Sequence, residues 1–213
     1  MIPRRLVLTG AAACGIGAAL PLRAAVSDPG RPNPMPEELR DALERDPTAP
    51  VLGNPGGDIT LSVFFDYNCP HCRTMAAPIQ GLISSDPQLR VVYREWPVFG
   101  EGSEFAARAS LASLETGKYW QFHAALLSMK GRAEEASVLR VARQTGLDEA
   151  ALRRGMQAEN VARHIQLSFQ LAEHMGLMGT PTFIAGDEAV FGEQSRADLA
   201  ALVARGRQTL GLA

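Results

Sequence analysis

Cys69 and Cys72 enclose Pro70 and His71, and no other residues of this chain combine type and spacing so well for chemistry. A thiol pair at that spacing can hold a metal, close a structural disulfide or exchange electrons with other thiols. Structural zinc takes four ligands, usually from two such pairs. This sequence has no second pair, and His123, His164 and His174 fall on helical patterns far along the chain, so no metal is expected. A structural disulfide across so short a loop would constrain the unfolded chain little. Redox exchange is the reading the spacing favours.

Residue types around the pair support it. A strand pattern ends at Asp66-Tyr67-Asn68, which puts Cys69 at a helix N-cap and Pro70 at the first helical position, where a missing N–H is harmless. The sulfur then faces unpaired N–H groups whose partial positive charge favours a thiolate, and a protonated His71 adds to it. Lowering the thiol pKa from about 8.5 to about 5.5 would stabilise the reduced form by about 4 kcal/mol. A stabilised dithiol makes the disulfide the stronger oxidant, so the expected direction is donation of disulfides. A substrate thiolate would attack an exposed Cys69 and expel the more buried Cys72. The substrate's second thiol would then resolve the mixed disulfide, with Cys69 leaving.

The elements that must position this pair can be read on either side of it. Ile59, Leu61, Val63 and Phe65 alternate with Thr60, Ser62 and Phe64, a period-2 pattern for a strand in a largely buried sheet. The helix opened by Pro70 should run to about Ser84 with a kink at Pro78, and a second strand spans Leu89 to Arg94, long enough a crossover for parallel pairing. From Trp96 to Gly179 only helical spacing occurs: Tyr119, Phe122 and Leu126, then Val138, Val141 and Ala142, then Val161, Ile165, Phe169 and Ala172. Strands return at Thr182 to Ala185 and Glu188 to Phe191, turned by Gly186-Asp187, and Ser195 with Asp198 forms a capping box for a last helix burying Leu199, Leu202 and Val203. Thr180-Pro181-Thr182 precedes the returning strand, which should lie beside Cys69. A cis bond at Pro181 is expected there, with the Thr180 backbone open to an extended substrate by strand addition.

The N-terminus carries Arg4-Arg5, an apolar run of small residues from Leu6 to Leu22, and cleavable small residues at Ala24 and Ala25, the form of a secretory signal. The run is too short and too rich in small side chains for a membrane span. Removing residues 1–25 takes Cys14 and three arginines, leaving 18 basic against 23 acidic residues and two cysteines for an oxidising compartment. Across the whole chain the balance is 21 against 23, with no basic excess for nucleic acid. Half of the fourteen prolines lie between Ser27 and Gly57, which reads as an arm with a short helix around Pro36 to Arg45.

These features together resemble the DsbA family of periplasmic thiol:disulfide oxidoreductases. The resemblance rests on Phe64-Phe65-Asp66-Tyr67-Asn68-Cys69-Pro70-His71-Cys72, the helical insert, and Gly179-Thr180-Pro181-Thr182-Phe183, and runs from about Val51 to Val203. It implies an α/β thioredoxin fold with an inserted helical domain, and with the elements read above divides the chain into a signal peptide at 1–25, an arm at 26–57, the thioredoxin-like domain at 58–98 and 177–213, and the insertion at 99–176. It implies Cys69 as nucleophile, Cys72 as resolving thiol, Pro70 and His71 as the residues between them, and Thr180 with cis-Pro181 in the substrate groove. No cofactor is implied. Expected partners are unfolded secreted proteins with free thiols and a membrane redox partner, with the chain a monomer in the periplasm.

Pro-His between the cysteines is like the oxidases of that family, whereas Thr before the proline is more like its isomerases and its copper-resistance-associated branch. An isomerase or reductase, or a protein holding Cu(I) on Cys69, Cys72 and nearby methionines, are therefore alternatives. Many thioredoxin-like proteins place a buried acid where this sequence has Val63, leaving Asp66 or Glu95 as candidate substitutes. Met75, Met129, Met175 and Met178 are candidates for an adaptable peptide groove or for core packing.

Overall fold

The computed structural model describes residues 34–212, so the expected signal, its cleavage point and the first part of the arm fall outside the described residues. The elements are α1 (Glu37–Glu44), β1 (Val51–Gly53), β2 (Ile59–Phe65), α2 (Pro70–Thr74), α3 (Ala76–Ser85) and β3 (Leu89–Glu95). They continue with α4 (Glu101–Ala112), a 3-10 turn (Ser113–Thr116), α5 (Tyr119–Ser128), α6 (Glu135–Gln144), α7 (Glu149–Gly155), α8 (Glu159–His174), β4 (Thr182–Ala185), β5 (Glu188–Phe191) and α9 (Arg196–Thr209).

Every residue of β2 is buried, which requires cover on both faces of the sheet. β3 pairs with it in parallel, Val63 opposite Tyr93, and β4 antiparallel, Val63 opposite Phe183. β1 and β5 complete the order β1-β3-β2-β4-β5. This β-α-β unit, separated by five helices from a β-β-α unit, is a thioredoxin fold with a helical insert.

Alternation along β2 divides its side chains between two cores. Ile59, Leu61, Val63 and Phe65 join Ile79 and Leu82 of α3 and Leu199, Leu202 and Val203 of α9, while Phe64 meets Leu43 of α1 and Leu171 and Ala172 of α8. Each such large side chain contributes about 1.5–3 kcal/mol by leaving water. α9 packs directly on the β4–β5 turn: Gly186 has φ of 59°, and a Cβ on Gly206 would lie 3.1 Å from the backbone of Ala185. Glycine is needed at both places.

Three features differ in detail from the sequence reading. The single kinked helix is two helices, broken at Met75, because Pro78 has no N–H for the carbonyl of Thr74. Val51–Gly53, assigned to the arm, is an edge strand antiparallel to β3, with Val51 opposite Val92. Three residues between prolines carry no readable period; their pairing depends on an edge offered by a distant strand. Phe169 is half exposed and packs edge-on against Trp96 with ring centres 6.4 Å apart.

α1 is also part of the packed structure. Fully buried Arg94 of β3 donates to Leu43 O at 3.0 and 2.6 Å, to Ala42 O, and to Asp46 Oδ2 at 2.8 Å. It thereby satisfies the carbonyls that the end of α1 leaves unpaired.

Candidate functional site

The turn bearing Cys69 is fixed before the cysteine is reached. Asp66 accepts N–H bonds from Asn68 at 2.7 Å, Val98 at 2.7 Å and Phe99 at 3.1 Å, and its carbonyl accepts from Cys69 N at 3.1 Å. Asn68 reaches the insert, donating to Ser103 Oγ and Ala133 O at 3.0 Å each and accepting from Ala133 N at 2.7 Å. Beyond the motif, Arg73 donates to Tyr67 O at 2.8 Å and to Met129 O and Gly131 O at 3.2 and 2.7 Å. The motif is thus clamped to the insert from both sides. Sequence reasoning did not find Asn68 and Arg73 as clamps, since their partners lie 35 to 65 positions away.

Cys69 is the N-cap of α2 and Pro70 its first residue. Cys69 Sγ donates to Thr180 O at 3.3 Å, across 111 positions, and the Thr180–Pro181 peptide bond is cis. The sequence motif and the proline loop therefore meet at one sulfur. Thr180 Oγ1 is buried beside it without a hydrogen-bond partner.

The two thiols, both free, are set far apart in acidity. Cys69 is drawn down to about 6, first by the Cys72 thiol donating to it, then by Thr180 and the N–H groups of Cys72 and His71, all against the opposing effect of burial. Burial is the main cause that pushes Cys72 far above the ordinary thiol range, helped by the neighbouring Cys69. The arrangement supplies one thiolate and one proton-holding thiol near neutral pH.

One expectation about this pair is corrected. Cys69 is not exposed: it is 1% accessible and Cys72 4%, because the proline loop covers the sulfur, so acidity and not exposure distinguishes them. The expected first-turn N–H groups do act on the sulfur, those of Cys72 and His71, but α2 has only five residues and the larger effect is the Cys72 thiol. His71 also stands differently from the simple picture of a free imidazolium beside the thiolate. Its ring is exposed, and Nδ1 donates to Glu193 Oε1 at 2.6 Å. Glu193, in the segment between β5 and α9, gave no signal in the sequence.

The remaining candidates are occupied elsewhere. Asp66 is used by backbone N–H groups, as described. Glu95, fully buried, accepts from Tyr119 O–H at 2.9 Å and lies 2.8 Å from His164 Nε2. His123 shares a hydrogen bond of 2.8 Å with Tyr67 O–H, and burial pushes its pKa down to about 3. His174 is exposed. Met75 is buried with its sulfur accepting from Gln194 N at 3.3 Å, Met129 and Met175 pack against the two cores, and Met178 is 83% exposed two residues before Thr180. Among the described residues no three His, Cys, Asp or Glu side chains are grouped to hold a metal ion.

Residues 60–204 match the model of the DSBA-like thioredoxin domain. The fold is similar to that of a thioredoxin-like oxidoreductase from Silicibacter pomeroyi DSS-3, with TM-score 0.78 and 53% identity over 79% of this chain and 98% of that one. It is also similar to the thiol-disulfide exchange protein alpha-DsbA2 from Wolbachia pipientis, with TM-score 0.73 and 30% identity over 79% and 92% of the two chains. Among curated proteins, disulfide bond formation protein D of Bacillus subtilis is 24% identical over 74% of this chain and 78% of its own length. The aligned part of this chain spans only 24% of the length of a Na(+)/H(+) antiporter NhaA 3 from Salinispora tropica, to which it is 26% identical. With the paired thiols, the loop of Thr180 and Pro181 and the helical insert in place, the chain belongs to the DSBA-like thioredoxin family of thiol:disulfide oxidoreductases.

Proposed function

We propose that the chain is an exported oxidase that transfers the Cys69–Cys72 disulfide to dithiols of unfolded proteins. The observation that carries this reading is the meeting of two elements at one sulfur: Cys69, the N-cap of α2, donates to Thr180 O at 3.3 Å beside the cis Thr180–Pro181 bond, where its acidity is raised while burial keeps Cys72 protonated. A substrate thiolate attacks Cys69 Sγ, forming a mixed disulfide and releasing Cys72 as a thiolate that takes up a proton. The substrate's second thiolate attacks its own sulfur in that bond and expels Cys69, which is stable as an anion. The substrate loses two electrons and the protein gains them. A low-pKa leaving thiol speeds the second step.

The cycle closes when an external oxidant, in this reading a membrane redox partner, takes the two electrons back. The signal pattern over residues 1–25 supports export, and an oxidising compartment keeps the disulfide form populated. Thr180, Pro181 and the exposed Met178 before them form the side of the site that an extended substrate would meet, consistent with strand addition.

Two measurements test this reading together. Equilibration with glutathione should show a pair far more oxidising than a structural disulfide, and a pair reduced only at very high thiol excess would contradict it. Cys72→Ala, mixed with a partly reduced substrate, should accumulate mixed disulfides visible by mass spectrometry, whereas Cys69→Ala should not. Equal trapping by both variants would overturn the assigned roles.

A further inference from the structure

We propose that Glu193 is a positioning residue that restrains the motif's histidine: its carboxylate binds and neutralises the His71 imidazolium, so the pair exerts little net field on the Cys69 thiolate. This rests on Cys69 being the reactive thiol. Glu193 is placed by its neighbours and not by chance contact. Gly192, with φ of 86°, donates its N–H to Pro181 O at 2.9 Å, and Gln194 N donates to Met75 Sδ at 3.3 Å. The segment 192–194 is therefore fastened to both halves of the site, the proline loop and the break between α2 and α3, with Glu193 between the two fastenings. From there its Oε1 receives His71 Nδ1–H at 2.6 Å.

The charges facing His71 are few. On α2, Cys69 acts on it as an anion, and Arg73 is turned away into carbonyls of the insert. The 192–195 segment offers Glu193 alone, since Gln194 and Ser195 are uncharged, and Gly179, Thr180 and Pro181 bear no titratable side chain. Glu193 raises the His71 pKa and His71 lowers that of Glu193, as a true ion pair does. Both side chains are largely in solvent, so each charge alone reaches the thiolate only weakly through water. An imidazolium with a carboxylate attached reaches it less still, because the two fields oppose.

The test is a set of three variants, each read by ultraviolet titration of the Cys69 thiolate in the reduced protein. Glu193→Gln leaves the imidazolium unopposed and should increase the Cys69 ionisation constant about two- to threefold. His71→Ala leaves the carboxylate unopposed and should decrease it by a similar factor. The double variant, with neither charge, should return to the wild-type value, and high salt should shrink both single-variant effects. The ring protons of His71, followed by NMR, should titrate at lower pH in Glu193→Gln. An unchanged Cys69 titration in Glu193→Gln, or a shift in the opposite direction, would overturn the proposal. All three variants lie at exposed positions and should melt like the parent. Because the readout is the thiol's ionisation, the proposal can fail while the oxidase reading stands, and an unfavourable glutathione equilibrium can sink that reading while the charge cancellation holds.

Discussion

Thr180 is the residue through which the proline loop acts on the sulfur. Its carbonyl accepts from Cys69 Sγ, and its hydroxyl is buried with nothing to bond in the dithiol state. A hydroxyl in that position gains a partner when Cys69 ionises, because a thiolate accepts where a thiol competes to donate. Thr180→Val removes the hydroxyl and keeps the shape. The Cys69 ionisation constant should then fall about threefold, a shift of roughly half a pKa unit. Stability should hold or rise, since an unsatisfied buried hydroxyl is replaced by a methyl. A thiolate titration that does not move would show the hydroxyl to be a bystander.

At the scale of elements, the sequence made β2, the crossover, the insert and the β4–β5–α9 unit legible because their signals are local: a period of two, a period near four, a glycine turn, a capping box. The helix α1 was legible too, at Glu37–Glu44 within the expected Pro36 to Arg45, but its packing and the strand β1 were harder. The place of β1 is set by pairing with β3, and that of α1 by Arg94, which no periodic pattern marks, since its partners are backbone carbonyls and Asp46 about fifty positions away. The same holds at the site. Cys69, Cys72, Pro70 and Thr180-Pro181 were readable from type and spacing, whereas Glu193, Asn68 and Arg73 act through long-range contacts that spacing cannot show. If Arg94 fastens α1 to the sheet, Arg94→Leu strips the buried Asp46 carboxylate of its counter-charge, leaving it only the Thr48 donors, and leaves the α1 carbonyls it served unpaired. The expected loss is about 3–5 kcal/mol in urea unfolding. A loss below about 1 kcal/mol would mean that α1 is only loosely attached.

For the whole molecule, the acidity of Cys69 links folding to redox state and pH. Its folded-state pKa, about 6, lies below the ordinary thiol value of 9.0. The resulting stabilisation of the dithiol form is therefore complete above about pH 9 and is lost as pH falls through 6. Cys72, pushed upward, works in the opposite sense above its ordinary pKa, so the net advantage peaks near pH 9. Thermal unfolding of dithiol and disulfide forms should show the dithiol form losing about 3 kcal/mol relative to the disulfide form between pH 8.5 and pH 5. A difference independent of pH would mean that Cys69 ionises alike in folded and unfolded chains.

All of this depends on Cys69 being an anion at neutral pH beneath Thr180. The most direct measurement is the ultraviolet absorbance of the reduced wild-type protein titrated from acid to base, with Cys69→Ala as the control. A single thiolate appearing with a midpoint near 6, absent in the control, is the expected result. A midpoint near the ordinary thiol value, or the same curve in the control, would contradict it.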